Sequence, residues 1–168
     1  MSKPIQIVSD TDEPISVASK ETAHTEGLMH RIARIMVEDT EGRVLLQLRT
    51  PDRKLFPNCW DDSAAGHVDA GETYEIAAKR ELAEEIGLKG VDLTEIGYYQ
   101  THGKFEWRQL NRFNKLYRVV VPGDITFSIQ AEEVARVKWF TVAEAKALVA
   151  EHPGQVADGL VEVLERFY

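Results

Sequence analysis

The sequence predicts a single domain of the α/β (α+β) class, spanning residues 1–168, with strands and helices layered on one another. Three observations predict it. The chain has 168 residues with 43% hydrophobic and 29% charged side chains, enough to bury a core without disulfides or a structural metal. β-rich runs and helical runs are mixed along its length. No repeat, low-complexity tract or Gly/Ser/Pro linker divides it.

The elements follow in order. Ile5–Val8 and Ile15–Ala18 read as short strands around the turn-rich Ser9 to Pro14. Lys20–His24 reads as a short helix closed by Gly27. Ile32–Val37 and Arg43–Leu48 read as strands joined through Asp39-Thr40-Glu41-Gly42. Thr50–Asn58, with two prolines, reads as a loop. Glu72–Ile86 is predicted helical and stopped by Gly87. Leu93–Gln100, Phe105–Val121 and Val134–Phe140 are β-rich, the middle one broken. Val142–Ala150 and Val156–Phe167 read as helices separated by Pro153-Gly154.

Composition removes several functions. Lys plus Arg is 20 and Asp plus Glu is 28, a net charge of −8, and no basic helix or aromatic–basic stripe is present. Phosphate-backbone binding needs clustered cations, so a nucleic-acid polymer is not the expected partner. The one cysteine, Cys59, cannot form a disulfide within the chain. The amino terminus has no secretory apolar core, and the apolar runs are too short to span a bilayer. The expectation is a cytoplasmic protein with no membrane contact, monomeric or homodimeric.

The informative stretch runs from Gly66 through Glu72 and Arg80-Glu81-Leu82-Ala83-Glu84-Glu85-Ile86-Gly87-Leu88. At about 100° per residue, Ile76, Ala78, Leu82, Ala83 and Ile86 share one arc of a helix, and Glu81, Glu84 and Glu85 share the other. Like charges at these spacings repel, and the helix dipole disfavours anions in the last turns. Only Arg80, four residues before Glu84, offsets this locally. Clustered carboxylate oxygens are what Mg²⁺ takes, often together with substrate phosphates, and a bound divalent cation would reverse the penalty.

The stretch resembles the Nudix box, G-x5-E-x7-R-E-U-x-E-E-x-G-U with U aliphatic. Gly66, Glu72, Arg80, Glu81, Glu84, Glu85 and Gly87 fill the fixed positions, and Leu82 and Leu88 the aliphatic ones. Seven fixed matches arise by chance with a probability of order ~10⁻⁸ per window. The resemblance implies a Nudix-type α/β/α sandwich with a mixed central sheet, and Mg²⁺-dependent hydrolysis (Mn²⁺ substituting) of a diphosphate bond. The small-molecule substrate would be a nucleoside di- or triphosphate, or another nucleoside diphosphate linked to a second group. It also implies metal ligands at Glu81, Glu84, Glu85 and the Gly66 carbonyl oxygen. Arg80 would fix a neighbouring carboxylate, and Glu72 would brace the loop–helix junction.

Upstream, Arg49, Arg53 and Lys54 precede Phe56-Pro57-Asn58-Cys59-Trp60 in a polar loop, where they would touch the diphosphate rather than stabilise the fold. This region, with His24 to Arg31 and on to His67, resembles the Nudix subset related to isopentenyl-diphosphate isomerase. That enzyme places a catalytic cysteine in Asn-Ser-x-Cys-Gly-His; here Asp62-Ser63-Ala64-Ala65-Gly66-His67 puts Ala65 at the thiol position. Its metal is held by histidines matching His24, His30 and His67 and by two later carboxylates, but Arg108–Asn114 here offers amides and arginines. The three histidines therefore read as structural hydrogen bonders. Its box is degraded, whereas this one is intact. These departures favour hydrolysis over an isomerase or a non-catalytic, metabolite-binding regulator. Glu132 and Glu133 precede the last strand, where related hydrolases place a late general base, so Glu133 is a candidate. Trp60, Trp107 and Trp139 could stack a base, though core or rim packing is the plainer expectation.

Overall fold

The computed structural model describes residues 2–168. Strands β1 (Ile5–Val8), β2 (Pro14–Ala18), β3 (His30–Asp39), β4 (Val44–Arg49), β5 (Trp60–Asp61), β6 (Ala64–His67), β7 (Thr94–Phe105), β8 (Arg108–Val121) and β9 (Val134–Phe140) join one mixed sheet. Helices α1 (Lys20–Glu26), α2 (Tyr74–Ile86), α3 (Val142–Glu151) and α4 (Asp158–Phe167) surround it. Strand β8 runs parallel to β3 along the whole length of β3, His30 opposite Arg112 through Asp39 opposite Val121. The other edge of β3 is shared in turn by β1, β6 and β4, all antiparallel. β4 pairs with β3 only at Val37–Leu45 and Glu38–Val44, then leaves to pair with β9 and β5. Its departure opens the cleft in which the site is built.

Alternation along the strands produces two cores. Ala33, Ile35 and Val37 of β3 face Ala77, Ala78, Leu82 and Ile86 of α2. Met36 of β3, Leu116 of β8 and Leu46 of β4 face Leu160, Val163 and Leu164 of α4 and Ala145 of α3. With α2 on one face and α3 and α4 on the other, the architecture is the expected α/β/α sandwich with a mixed sheet.

Local chemistry sets the helix ends. Thr73 caps α2, its side chain accepting from the Ile76 N–H, so the helix starts at Tyr74 and Glu72 lies in the preceding turn rather than inside it. Gly87 closes it at φ 70°, its N–H bonded to the Leu82 carbonyl. Thr141 and Glu144 form a reciprocal cap on α3. The expected break in the Phe105 segment is a hairpin turn at Glu106-Trp107, so Phe105 ends β7 rather than beginning the next strand. α4 starts at Asp158, two residues later than expected, because Pro153–Gln155 forms a 3₁₀ turn ahead of it.

One buried ion pair lies between sheet and helix. Arg34 donates to Asp62 at 2.8 Å and to Asn114 at 2.9 Å. A Cβ at Gly159 of α4 would lie 1.9 Å from the Arg34 guanidinium, so the helix reaches this pair only through a glycine. Gly159→Ala should push Arg34 off its partners. The expected loss is about 3 kcal/mol, the range for breaking a buried pair. That lowers Tm by roughly 6–12 °C for a domain of this size. Calorimetry showing a change below about 2 °C would contradict the packing described.

Candidate active site

The site grows from the contact between α2 and β6. A Cβ at Gly66 would fall 2.0 Å from the Glu81 carboxylate, so only glycine lets this acid lie flat on the strand. Arg80 is the hub. It donates to Glu72 at 2.8 and 2.9 Å, to Glu81 at 2.5 Å and to the His67 carbonyl at 3.0 Å, with Glu84 at 3.5 Å. Glu72 in turn accepts from the Asp69 N–H at 3.0 Å, which locks the turn onto the helix. Glu85 accepts from Gln47 at 2.5 Å. The helical-wheel expectation is corrected here. Glu81 and Glu85 are 8% and 3% exposed and lie on the buried side of α2, while Ile76, expected inside, is 54% exposed. Glu84 alone of the three is exposed.

Burial decides the protonation of these acids. It pushes the Glu81 carboxyl up to about 7, against the opposing pull of Arg80. It pushes Glu85 well above the usual carboxylate range, and the charge of Glu81 adds to the effect.

All three glutamates, with Gly66 and Arg80, line an inner cavity of about 310 Å³. Arg49, Arg53 and Glu133 line it too. Arg53 pairs with Glu133 across the cleft mouth. Arg49 differs from expectation: it is the last residue of β4, not part of the loop, because pairing with β9 continues through it. Its guanidinium is buried, held by Asp61 at 3.0 Å and by the Leu55 carbonyl at 2.8 and 3.0 Å. It therefore shapes the loop as well as facing the cavity. Lys54 lies in an adjoining outer cavity of about 540 Å³ and does not line the inner one.

Sequence reasoning missed the cavity floor. Asp61 of β5, Arg112 of β8 and Asp158 of α4 line it, with Arg112 bonded to Asp158 at 3.1 Å. Their common face follows from the register: His30, Ile32 and Arg34 alternate on β3 opposite Arg112 and Asn114 on β8. No local pattern marks β5 or β6, so this face could be found only by pairing strands.

His24, His30 and His67 do gather, with ligand nitrogens within 4.8 Å of one another. Among the described residues theirs is the His/Cys/Asp/Glu group that meets metal-ligand spacing. His30 donates its Nδ1–H to the Leu28 carbonyl, 2.8 Å away, and its buried Nε2 has no partner. Burial and then Arg112 lower His24 to about 4, and burial lowers His30 to about 3. The three histidines gather as a neutral, hydrogen-bonded set, and that set does not fit the isomerase metal. Arg112 and Asn114 occupy β8 beside them, and the nearby Asp158 is already held by Arg112. Ala65 faces the inner cavity without a thiol. Cys59 lines neither cavity; its Sγ lies 3.7 Å from the Gly154 carbonyl.

The NUDIX domain model matches residues 28–160. The chain belongs to the Nudix family. Its fold is the Nudix fold. Among relatives, it is 31% identical to the isopentenyl-diphosphate Delta-isomerase of Nocardia farcinica, over 96% of this chain and 93% of that protein. It is 34% identical to the uncharacterized Nudix hydrolase YfcD of Escherichia coli, over 85% of this chain and 76% of that one. Among solved structures, DR0079 of Deinococcus radiodurans superposes with a TM-score of 0.84 over 99% of both chains, at 23% identity. No helix among the described residues is long and apolar enough to cross a membrane.

The raised carboxyl groups of this Nudix site carry a stability consequence. An acid whose pKa is raised on folding stabilises the fold below its unfolded value and loses that stabilisation as pH rises through the folded one. For Glu81 that window runs from 4.5 to about 7. The metal-free protein should therefore gain in Tm when Glu81 is replaced by Gln at about pH 8, and gain less at about pH 5. Equal shifts at both pH values would contradict the burial of an ionisable Glu81.

Proposed function

We propose that this enzyme hydrolyses the diphosphate bond of a nucleoside di- or triphosphate, or of a nucleoside diphosphate joined to a second group, with Mg²⁺ as cofactor. The observation that carries the reading is the buried carboxylate face of α2, set opposite Arg53 and Glu133 across one cavity. Two acids held out of water against a glycine strand are unfavourable in themselves and suit a cation. Glu81, Glu84, Glu85 and the Gly66 carbonyl would hold it, and Mn²⁺ would substitute. When bound, Mg²⁺ supplies positive charge against the diphosphate and acidifies water.

The chain's own residues do the rest. Arg80 pins Glu81 and Glu72 and keeps the helix registered on β6. Arg53, at the cavity mouth, is free to exchange its contact with Glu133 for a phosphoryl oxygen, which would release Glu133 to take a proton from the attacking water. Arg49 keeps the 50–58 loop in place through its bonds to the Leu55 carbonyl. Lys54 extends the positive charge outward.

An isomerase of an isoprenoid diphosphate is the second reading, favoured by the identity to the Nocardia protein over nearly the whole chain. Moving a double bond needs an acid at the carbon that gains a proton. Ala65 stands at the thiol position, and Cys59 points elsewhere.

One panel separates the readings. With Mg²⁺, nucleoside di- and triphosphates, nucleotide sugars and isopentenyl diphosphate are offered, the last in deuterated water. Hydrolysis of a nucleotide and no labelled dimethylallyl diphosphate is expected. Glu84→Gln and Glu85→Gln should each lower kcat by about 100-fold or more while folding normally. Steady deuterium incorporation, or Mn²⁺ titrations unchanged in both variants, would overturn the reading.

A further inference from the structure

The outer cavity has an aromatic wall that diphosphate chemistry does not use. Trp107 sits in the two-residue turn between Phe105 and Arg108, at the tip of the β7–β8 hairpin, and is 53% exposed. Trp60, by contrast, is buried. A half-exposed indole at a hairpin tip offers a flat apolar face with a polar N–H edge. Its position is held. Phe105 packs on Phe56 of the 50–58 loop with ring centroids 4.5 Å apart, and Phe56 itself lines the inner cavity. The hairpin tip is thereby fastened across the cleft. Arg108 lays its guanidinium over one face of the indole, 4.3 Å from the ring centroid, and is itself anchored to Glu106 at 2.8 Å.

The outer and inner cavities adjoin: Lys20, Arg49, Arg53, Leu55 and His67 line both. Trp107 and Arg108 line the outer one alone. A phosphate chain running inward along Lys20 and Arg53 thus leaves its non-phosphate end beside the indole. The group that such a wall recognises is flat, aromatic and attached to an anion. Every nucleobase presents a π face, so stacking tolerates base identity.

We propose that Trp107, backed by Arg108, is the stacking platform for the base of a nucleoside diphosphate whose phosphates enter the inner cavity; this rests on the nucleotide reading above. Arg108 polarises the indole from one side. Selectivity is then for a base-bearing diphosphate over a base-free one, with little discrimination among bases.

The test compares wild type with Trp107→Ala and Trp107→Phe on ADP, CDP and methyl diphosphate, which carries no base. Trp107→Ala should raise KM for ADP and CDP about tenfold, with kcat changed less than about twofold. KM for methyl diphosphate should not move. Trp107→Phe should recover most of the loss, which a merely structural role would not require. The turn is exposed, so Tm should be unaltered. An unchanged KM for both nucleotides, or an equal rise with methyl diphosphate, overturns the platform. Should wild type hydrolyse neither nucleotide, the substrate reading falls. ADP titration calorimetry then decides the platform separately: weaker binding to Trp107→Ala supports it, equal binding refutes it.

Discussion

Holding Glu81 and Glu85 out of water is the constraint on which the rest of this structure depends. Two carboxylates on one buried helix face repel each other and lack solvent, so the fold must surround them with compensation. Arg80 takes up Glu81 and Glu72, and Gln47 takes up Glu85. Gly66 removes the side chain that would bar Glu81 from the strand. Capping by Thr73 and Gly87 fixes the register of the helix, and so the height of each acid above the sheet. No basic residue stands in the last turn of α2 to answer its dipole, which leaves that end of the site receptive to a cation.

The opposite wall answers with arginines already spoken for. Arg34, Arg49 and Arg112 are each bonded to an aspartate, Asp62, Asp61 and Asp158 respectively. The first two pairs are buried, Asp158 of the third is partly exposed, and together they give the floor a fixed shape rather than a strong free charge. Arg53 differs. It is partly exposed, and its side-chain partner among the described residues is Glu133, itself a cavity residue. Substrate charge therefore has one arginine at the mouth that can be recruited without unpicking the core.

Much of the chemistry was legible in the sequence because it depends on spacing along one helix and its leading loop. Glu72, Arg80, Glu81, Glu84 and Glu85 keep their relations whatever the rest of the chain does. The side of the helix they face was not legible. A wheel sorts residues by polarity, and Glu81 and Glu85 are buried for a reason that polarity does not express. β5 and β6 are too short to show alternation, so the contact of Gly66 with Glu81 was invisible until β6 paired with β3. Arg49 was read one residue outside its strand because prolines follow closely at Pro51 and Pro57. Trp107 looks like Trp60 and Trp139 in the sequence; only the hairpin turn sets it apart, and only strand pairing reveals where that turn points. The histidine cluster was recognised as a set, but its neutrality comes from burial and from Arg112, which lies 82 residues after His30 and beside it in the sheet.

The most direct test of the role given to the buried acids is anomalous diffraction from crystals of the protein soaked in Mn²⁺. The expected result is a peak bounded by Glu81, Glu84, Glu85 and the Gly66 carbonyl oxygen, with the Glu81 carboxylate turned from Arg80 toward the ion. A peak confined to His24, His30 and His67, with Glu81 still bonded to Arg80 and no density on the α2 face, would contradict it.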